Sequence, residues 1–461
     1  MPELTRRNFL RTPAGAAVLS ACGGRRDERP NVVVILTDDQ RWDAMSCVEN
    51  RFFPHLKTPN MDRIAAEGAR FTNAFVTNSL CSPSRASFLS GLYAHKHGVI
   101  NNFTDFPAAV PSYPAILKQQ GYETAYIGKW HMGEQDDSPR PGYDYWVSHK
   151  GQGDFENPEL NVNGERAVHE GYYTDIVTGM AVDWLKRPKG APFCMVMGHK
   201  AAHNPFTPSP RHLHAFDDAP IEFPASKEDF KLGYPKWVEN RIHYRHGIYG
   251  GLYGLETYEK FIRYYHASLL AVDESIGAIL AALEEMRELD NTMVVFASDN
   301  GFFLGEHSFS DKRAMYEESI RIPLLVRYPK LIPQPQKIPQ MVVNCDLAPT
   351  IVEAAGAPPM QNVHGRSWLP LLRGDPAGWR RSFHYEYFYE EQYPWTPHIQ
   401  GVRTEEWKYI RYPDVEETDE LYHIAADPME TRNLVNDPAH REKLDELKAE
   451  LRRLRTATGA A

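Results

Sequence analysis

The chain predicts an α/β fold: a mostly parallel central sheet sandwiched by helices, followed by a smaller antiparallel sheet near the C-terminus. Short apolar, β-branched runs recur at 31–36, 193–198, 292–298 and 322–328. Each is continuous rather than alternating, as strands buried on both faces require. Helical patterns separate them, the longest at 258–289, and such alternation of strand and helix marks parallel βαβ units. Toward the end, 383–388, 401–403, 408–412 and 420–422 read as short antiparallel strands, with a charged closing helix over 438–455.

The first residues stand apart from this pattern. Thr5-Arg6-Arg7-Asn8-Phe9-Leu10 resembles a twin-arginine export motif, and a short apolar stretch ends in the lipobox-like Leu19-Ser20-Ala21-Cys22. Residues 1–21 are therefore expected to be a twin-arginine lipoprotein signal peptide, with Cys22 lipidated and the mature chain exported as a periplasmic or cell-surface lipoprotein. The apolar run is too short to cross a bilayer.

Run 31–36 leads into Thr37-Asp38-Asp39-Gln40, and run 292–298 into Asp299-Asn300. Ligands of parallel sheets collect beyond the carboxyl ends of strands, so the two pairs are expected to meet. Their hard oxygens suit calcium or magnesium better than zinc. Between these runs stands Cys81-Ser82-Pro83-Ser84-Arg85, opening the helical run 86–91. Ser82 is the expected N-cap and Pro83 fits the first turn, which places residue 81 where free N–H groups favour an anion. Arg85, one turn on, faces the same way.

Further along come Gly121-Tyr122-Glu123-Thr124-Ala125-Tyr126-Ile127-Gly128-Lys129-Trp130-His131, then His203 in Lys200-Ala201-Ala202-His203-Asn204-Pro205, then Lys312 in Gly305-Glu306-His307-Ser308-Phe309-Ser310-Asp311-Lys312-Arg313. Together with the Cys-x-Pro-x-Arg element and Asp427-Pro428-Met429-Glu430-Thr431-Arg432-Asn433, this ordered series resembles the type I, formylglycine-dependent sulfatases over about 31–433. The resemblance implies an alkaline-phosphatase-like catalytic domain in 29–356, a four-stranded C-terminal subdomain in 357–461, and hydrolysis of sulfate esters. It implies that a formylglycine-generating enzyme oxidises Cys81 to formylglycine, whose hydrate is the nucleophile. One calcium ion, with magnesium as the alternative, would lie among Asp38, Asp39, Asp299, Asn300 and residue 81. Arg85 would pair with the modified side chain or the ester, Lys129 would bind a sulfate oxygen, and His131 would take a proton from the diol. A protonated His203 beside Lys312 would assist the departing alcohol.

The phrases at 205–208, 237–241 and 264–273 look like bacterial N-acetylglucosamine-6-sulfatase and mucin-desulfating relatives, which implies a sulfated carbohydrate substrate, best matched by 6-O-sulfated N-acetylglucosamine, with another sulfated glycan or an aryl sulfate as the alternative. Candidate substrate contacts are His307, Asp311 and Arg313 beside Lys312, and Trp395, His398 and Arg403 around the proline-broken loop at 392–398.

The formal net charge of −10, without basic clustering, argues against a nucleic-acid partner. The membrane enters only through the anchor. Five cysteines in 461 residues imply no disulfide framework. Two rivals remain at this level: a phosphate or phosphonate monoester hydrolase of the same fold, and a non-catalytic lipoprotein that binds sulfated glycans.

Overall fold

The computed structural model describes residues 29–48, 52–227, 234–416 and 418–460. The twin-arginine and lipobox elements, Cys22 included, lie outside them. In chain order the strands are β1 (Asn31–Thr37), β2 (Ala69–Phe71), β3 (Ala74–Phe75), β4 (Glu123–Gly128), β5 (Tyr145–Ser148), β6 (Glu159–Val162), β7 (Glu165–Val168) and β8 (Phe193–Gly198). They continue with β9 (Thr292–Ser298), β10 (Leu324–Arg327), β11 (Gln336–Ile338), β12 (Val342–Val343), β13 (Ser382–Tyr387), β14 (Ile399–Thr404), β15 (Trp407–Arg411) and β16 (Glu420–His423).

Ten strands form one sheet in the order β11-β2-β10-β9-β1-β8-β4-β5-β6-β7. Its middle, β9-β1-β8-β4-β5, is parallel throughout, so these strands deliver their carboxyl ends to one edge. Every residue of β1, β8 and β9 is buried, which is why their sequences are unbroken apolar runs. The run at 322–328 becomes β10, antiparallel to β9. At the far side β6 and β7 also pair antiparallel, so the sheet is parallel at its centre and mixed at its margins.

Helix Tyr258–Glu285 opens on Thr257, whose side chain accepts from the Lys260 N–H. It is long and apolar enough to cross a bilayer, but 72% of its apolar window is buried in the protein, and it packs against helix Tyr173–Lys186. Strands β13–β16 form the expected four-stranded antiparallel sheet. Helix Arg441–Thr458 closes it with Leu444, Leu447 and Leu451 buried along one stripe. The sheet is tied to the larger body by the Glu386 N–H, which donates to the Thr77 carbonyl at 3.0 Å, and by Arg403 and Lys408, which both pair with buried Glu317.

Candidate active site

The carboxyl ends of neighbouring β1 and β9 bring Asp38, Asp39, Asp299 and Asn300 together at zero exposure. Asp39 turns into the left-handed region at φ 60°, a conformation a non-glycine residue keeps only when its surroundings hold it. Helix Cys81–Ser90, buried along its whole length, aims its first residue at this edge. Cys81 Sγ lies 3.4 Å from Asp38 Oδ1, and carboxylate oxygens of Asp38, Asp39 and Asp299 lie with that sulfur within 4.8 Å of one another.

Cations interleave with these acids. Arg85 donates from Nε to Asp299 at 2.8 Å and from Nη1 to the Lys129 carbonyl at 2.7 Å. Its Nη2 is buried without a hydrogen-bond partner, 3.6 Å from Asp38. Gly198, at the end of β8, makes the room: a Cβ there would sit 2.5 Å from the Lys129 carbonyl and 3.1 Å from Arg85 Nη1. The Lys129 ammonium donates to Asp38 and to the Gln152 side chain, and Lys312 donates to both Asp39 oxygens at 2.6 and 2.8 Å.

Burial alone would raise the Asp38 carboxyl, yet Lys129, His203, Arg85 and Lys312 outweigh it and hold Asp38 well below the carboxylate range. Asp39 goes the other way: burial, with Asp38 and Asp299 alongside, pushes it up to about 7 despite Lys312. Burial and Asp38 likewise raise Asp299. Asn300 donates to Asp39 at 2.6 Å, but its own Oδ1 is buried with no partner. An oxygen-rich set with an orphaned carbonyl and mutually repelling carboxylates fits a hard divalent cation.

Two histidines flank the acids. His131 Nε2 is 3.1 Å from Glu134, and its Nδ1 is buried and unpartnered. His203 Nδ1 donates to the Asn204 carbonyl at 2.9 Å, which leaves Nε2 as the free position, 3.9 Å from Asp39. Burial and then Lys129 drive both imidazoles well below their ordinary value. A cavity of about 360 Å³ opens above, lined among others by His203, Lys312, Gln152, Asn102, Glu134 and Phe302.

Residues 30–357 match the family described as Sulfatase, and 305–457 match N-sulphoglucosamine sulphohydrolase, C-terminal. The chain belongs to the sulfatase family. This sulfatase is 36% identical over 504 residues to N-acetylglucosamine-6-O-sulfatase of Bacteroides thetaiotaomicron, across 95% of this chain and 89% of the relative. It superposes at a TM-score of 0.88 and 34% identity on a solved protein in complex with its substrate D-glucosamine-2-N,6-O-disulfate, covering 94% of this chain and 98% of that one. Phosphonate monoester hydrolase of Agrobacterium radiobacter, at 22% identity and TM-score 0.77, covers 93% of this chain and 96% of its own, and shares the fold. The architecture is thus the alkaline-phosphatase-like one, and the chain is a sulfuric ester hydrolase.

Against the sequence expectations, this sulfatase brings Asp38, Asp39, Cys81, Arg85, Lys129, His131, His203, Asp299, Asn300 and Lys312 into one locus. Two local readings are corrected. The helix N-cap is Leu80, not Ser82; Ser82 lies inside the first turn, its hydroxyl donates to the His131 carbonyl, and its N–H is taken by Asn102 at 3.1 Å. That N–H is therefore not open to an anion. For His203, expected to act in its protonated form, burial and then Lys129 hold the imidazole well below its ordinary value.

Of the proposed substrate contacts, Asp311 and Arg313 line the cavity. Arg313 bonds Asp311 at 3.0 Å and Glu390 at 2.7 Å. His307 does not reach the cavity: it is fully buried, bonded to the Tyr234 hydroxyl at 2.9 Å and stacked on Tyr316. Arg403 is buried and bonded to Glu317 at 2.9 Å, tying the four-stranded sheet to the larger body. His398 is occupied by Asp414 at 2.9 Å and Phe388, and Trp395 stacks on Tyr244 outside the cavity lining. Sequence reading missed Asn102, Gln152, Arg245, His246 and Tyr393, all on the wall; they sit in loops without periodicity, so no pattern marked them.

Proposed function

We propose that this sulfatase removes the 6-O-sulfate of a glucosamine residue, N-acetylglucosamine by preference, using formylglycine at position 81 and a calcium ion. The observation that carries the reading is the meeting of a buried residue 81, three carboxylates and the cations Arg85, Lys129 and Lys312 beneath a cavity of about 360 Å³. That volume is at the small end of ligand sites and suits one sulfated sugar ring. The glucosamine sulfates named for the two relatives at 36% and 34% identity support glucosamine.

Burial, reinforced by Asp38, pushes the Cys81 thiol well above its ordinary value. An unmodified cysteine here would stay a thiol and be a poor nucleophile, so the reading needs its conversion to formylglycine by a generating enzyme. Hydrated formylglycine would supply a geminal diol to attack sulfur, and calcium, which Asp38, Asp39, Asp299 and Asn300 would hold, would supply charge to lower that diol's pKa. Lys129, Lys312 and the unpartnered Arg85 Nη2 bind ester oxygens and stabilise charge developing on the transferring group. His131, neutral and with an unpartnered Nδ1, accepts a proton from the modified residue. His203 can act as acid only once Nε2 is protonated; an anionic ester beside it favours that state, and it then protonates the leaving alcohol. The signal peptide and a lipid on Cys22, with the envelope location they entail, belong to this proposal on sequence alone.

The test is sulfate release from defined sulfated mono- and disaccharides, with residue 81 shown by mass spectrometry to be formylglycine. Release from 6-sulfated N-acetylglucosamine is expected. Release from an aryl sulfate alone, or faster hydrolysis of phosphate or phosphonate esters, would discard the substrate. Full activity with residue 81 still cysteine would discard the nucleophile.

A further inference from the structure

We propose that the surface beside the cavity mouth is a subsite for the sugar adjoining the reacting one: a two-rung aromatic ladder, with Arg245 as its contact for an anionic substituent. The proposal rests on the glucosamine reading and extends it from one ring to an acidic oligosaccharide chain.

The ladder joins two loops far apart in sequence. One carries Tyr244 and His246, the other Tyr393 and Trp395, each pair two residues apart. His246 stacks on Tyr393 with ring centroids 4.8 Å apart, and both line the cavity. One step outward Tyr244 stacks on Trp395 at 4.2 Å, with planes 20° apart. Exposure climbs along one side of the ladder, from 5% at His246 to 42% at Tyr244, while Tyr393 and Trp395 opposite are both half-buried. A wall that begins in the site and continues outward as open aromatic surface is the chemistry that packs on the apolar faces of sugar rings.

The ladder is held in place before any ligand arrives. The Ser310 N–H donates to the His246 carbonyl and the Ile248 N–H to the Ser308 carbonyl, both at 2.9 Å. Arg241, fully buried at the base of the loop, donates to the Arg313 carbonyl at 2.8 Å and to Asp311. The Tyr393 ring of the other loop lies under the Arg313 guanidinium, 4.0 Å from it. Little ordering remains to oppose binding.

Arg245 gives the ladder its charge preference. It is exposed and lines the cavity mouth between Tyr244 and His246. Among the described residues no carboxylate pairs with it; its guanidinium lies 5.9 Å from the Tyr253 ring. Most other arginines near the site are committed: Arg41 to Asp43 and Glu306, Arg85 to Asp299, Arg241 and Arg313 to Asp311. An uncommitted guanidinium beside aromatic faces selects a sugar bearing carboxylate or sulfate.

The experiment compares kcat/KM on 6-sulfated N-acetylglucosamine with that on a tetrasaccharide of the same terminal residue followed by a uronate. Tyr244→Ala should leave the monosaccharide unchanged and raise KM for the tetrasaccharide about three- to tenfold, as the loss of one stacking face predicts. Trp395→Ala should lower tetrasaccharide turnover in the same way. Arg245→Gln should erase the preference for a uronate neighbour over a neutral one and flatten the salt dependence of KM. Equal losses on both substrates, or none on the tetrasaccharide, would overturn the proposal. A parallel titration follows tryptophan fluorescence with the same tetrasaccharide lacking its sulfate. Binding by the wild type that weakens in Tyr244→Ala supports the ladder even if turnover fails on glucosamine, which would sink the substrate reading alone; no binding by the wild type sinks the ladder itself.

Discussion

Lys312→Met is the perturbation that most directly tests how the charges are arranged, because it removes one cation while keeping most of the side-chain volume. Lys312 donates to the two Asp39 oxygens at 2.6 and 2.8 Å with both side chains buried. At that separation two unit charges attract by about 6 kcal/mol for an effective dielectric near 20. Dehydration of both ions offsets part of this, and removing one partner of a buried pair typically costs about 3–5 kcal/mol. The loss has a ceiling here: Asp39 already sits at about 7 with Lys312 present, so without it the carboxyl takes up a proton at neutral pH rather than remain a bare charge. Two outcomes follow. In chelator the variant should melt several degrees below wild type. With calcium at saturation kcat for sulfate release should fall about 10²–10³-fold, the usual consequence of deleting one donor to developing charge. The assays are thermal unfolding with and without chelator, and ion chromatography of released sulfate. A variant that keeps kcat within threefold of wild type and melts at the same temperature would refute both the pairing energy and the catalytic role.

His203→Ala should slow release from sugar sulfates, whose leaving alcohols need a proton, by about 10²–10⁴-fold, and from an activated aryl sulfate far less; equal losses would end its assignment as leaving-group acid. His95 bonds Glu386 at 2.9 Å and the Thr458 carbonyl at 3.0 Å, pinning the last helix to the larger body. Burial opposes both charges, but Glu386 raises His95 above its ordinary 6.5 and His95 lowers Glu386 below its ordinary 4.5. The His95 contribution is present below 6.5 and lost as pH rises through its raised value; that of Glu386 is present above 4.5 and lost as pH falls through its lowered value. The stability difference between wild type and His95→Gln, about 1 kcal/mol once His95's partial exposure is discounted, should therefore peak between pH 4.5 and 6.5 in urea unfolding. A pH-independent difference would contradict the pair. Inorganic sulfate should raise the melting temperature markedly with calcium present and little in chelator; equal shifts would show that the two ligands bind independently.

The centre of the fold was legible because burial on both faces forces continuous apolar runs: β8 and β9 begin and end where their sequences do. The margins were not. Strand β2 has three residues and β12 two, too short for a period, and nothing within 322–328 states that β10 runs antiparallel. In the site, acids directly after buried strands are placed by chain geometry alone, which is why Asp38, Asp39, Asp299 and Asn300 could be read. Reading failed where a residue type fitted either role. Arg403 and His307 look like ligand contacts in a sequence, but both are absorbed by partners, buried Glu317 and half-buried Tyr234, that lie 86 and 73 positions away. Trp395 was read as an aromatic for sugar; what the sequence could not supply was Tyr244, which places it on the rim instead of the wall.

The expected coupling of sulfate to a divalent cation is argued from which partners the lysines hold. Lys129 and Lys312 donate to Asp38 and Asp39, the same carboxylates that would bind the cation, so in chelator they are committed to the acids and poorly available to an ester. Three buried carboxylates facing Arg85, Lys129 and Lys312 are balanced in number, yet not in comfort: Asp39 and Asp299 are both pushed up. A divalent ion among the carboxylates relieves that repulsion and leaves the cations in excess, and an excess of buried cations is relieved by an anion. Each ligand therefore removes the electrostatic penalty that opposes the other, and linkage makes the effect reciprocal. On this account the negative overall charge of −10 is no obstacle to an anionic substrate, because the attraction that matters is local, buried and switched on by the metal.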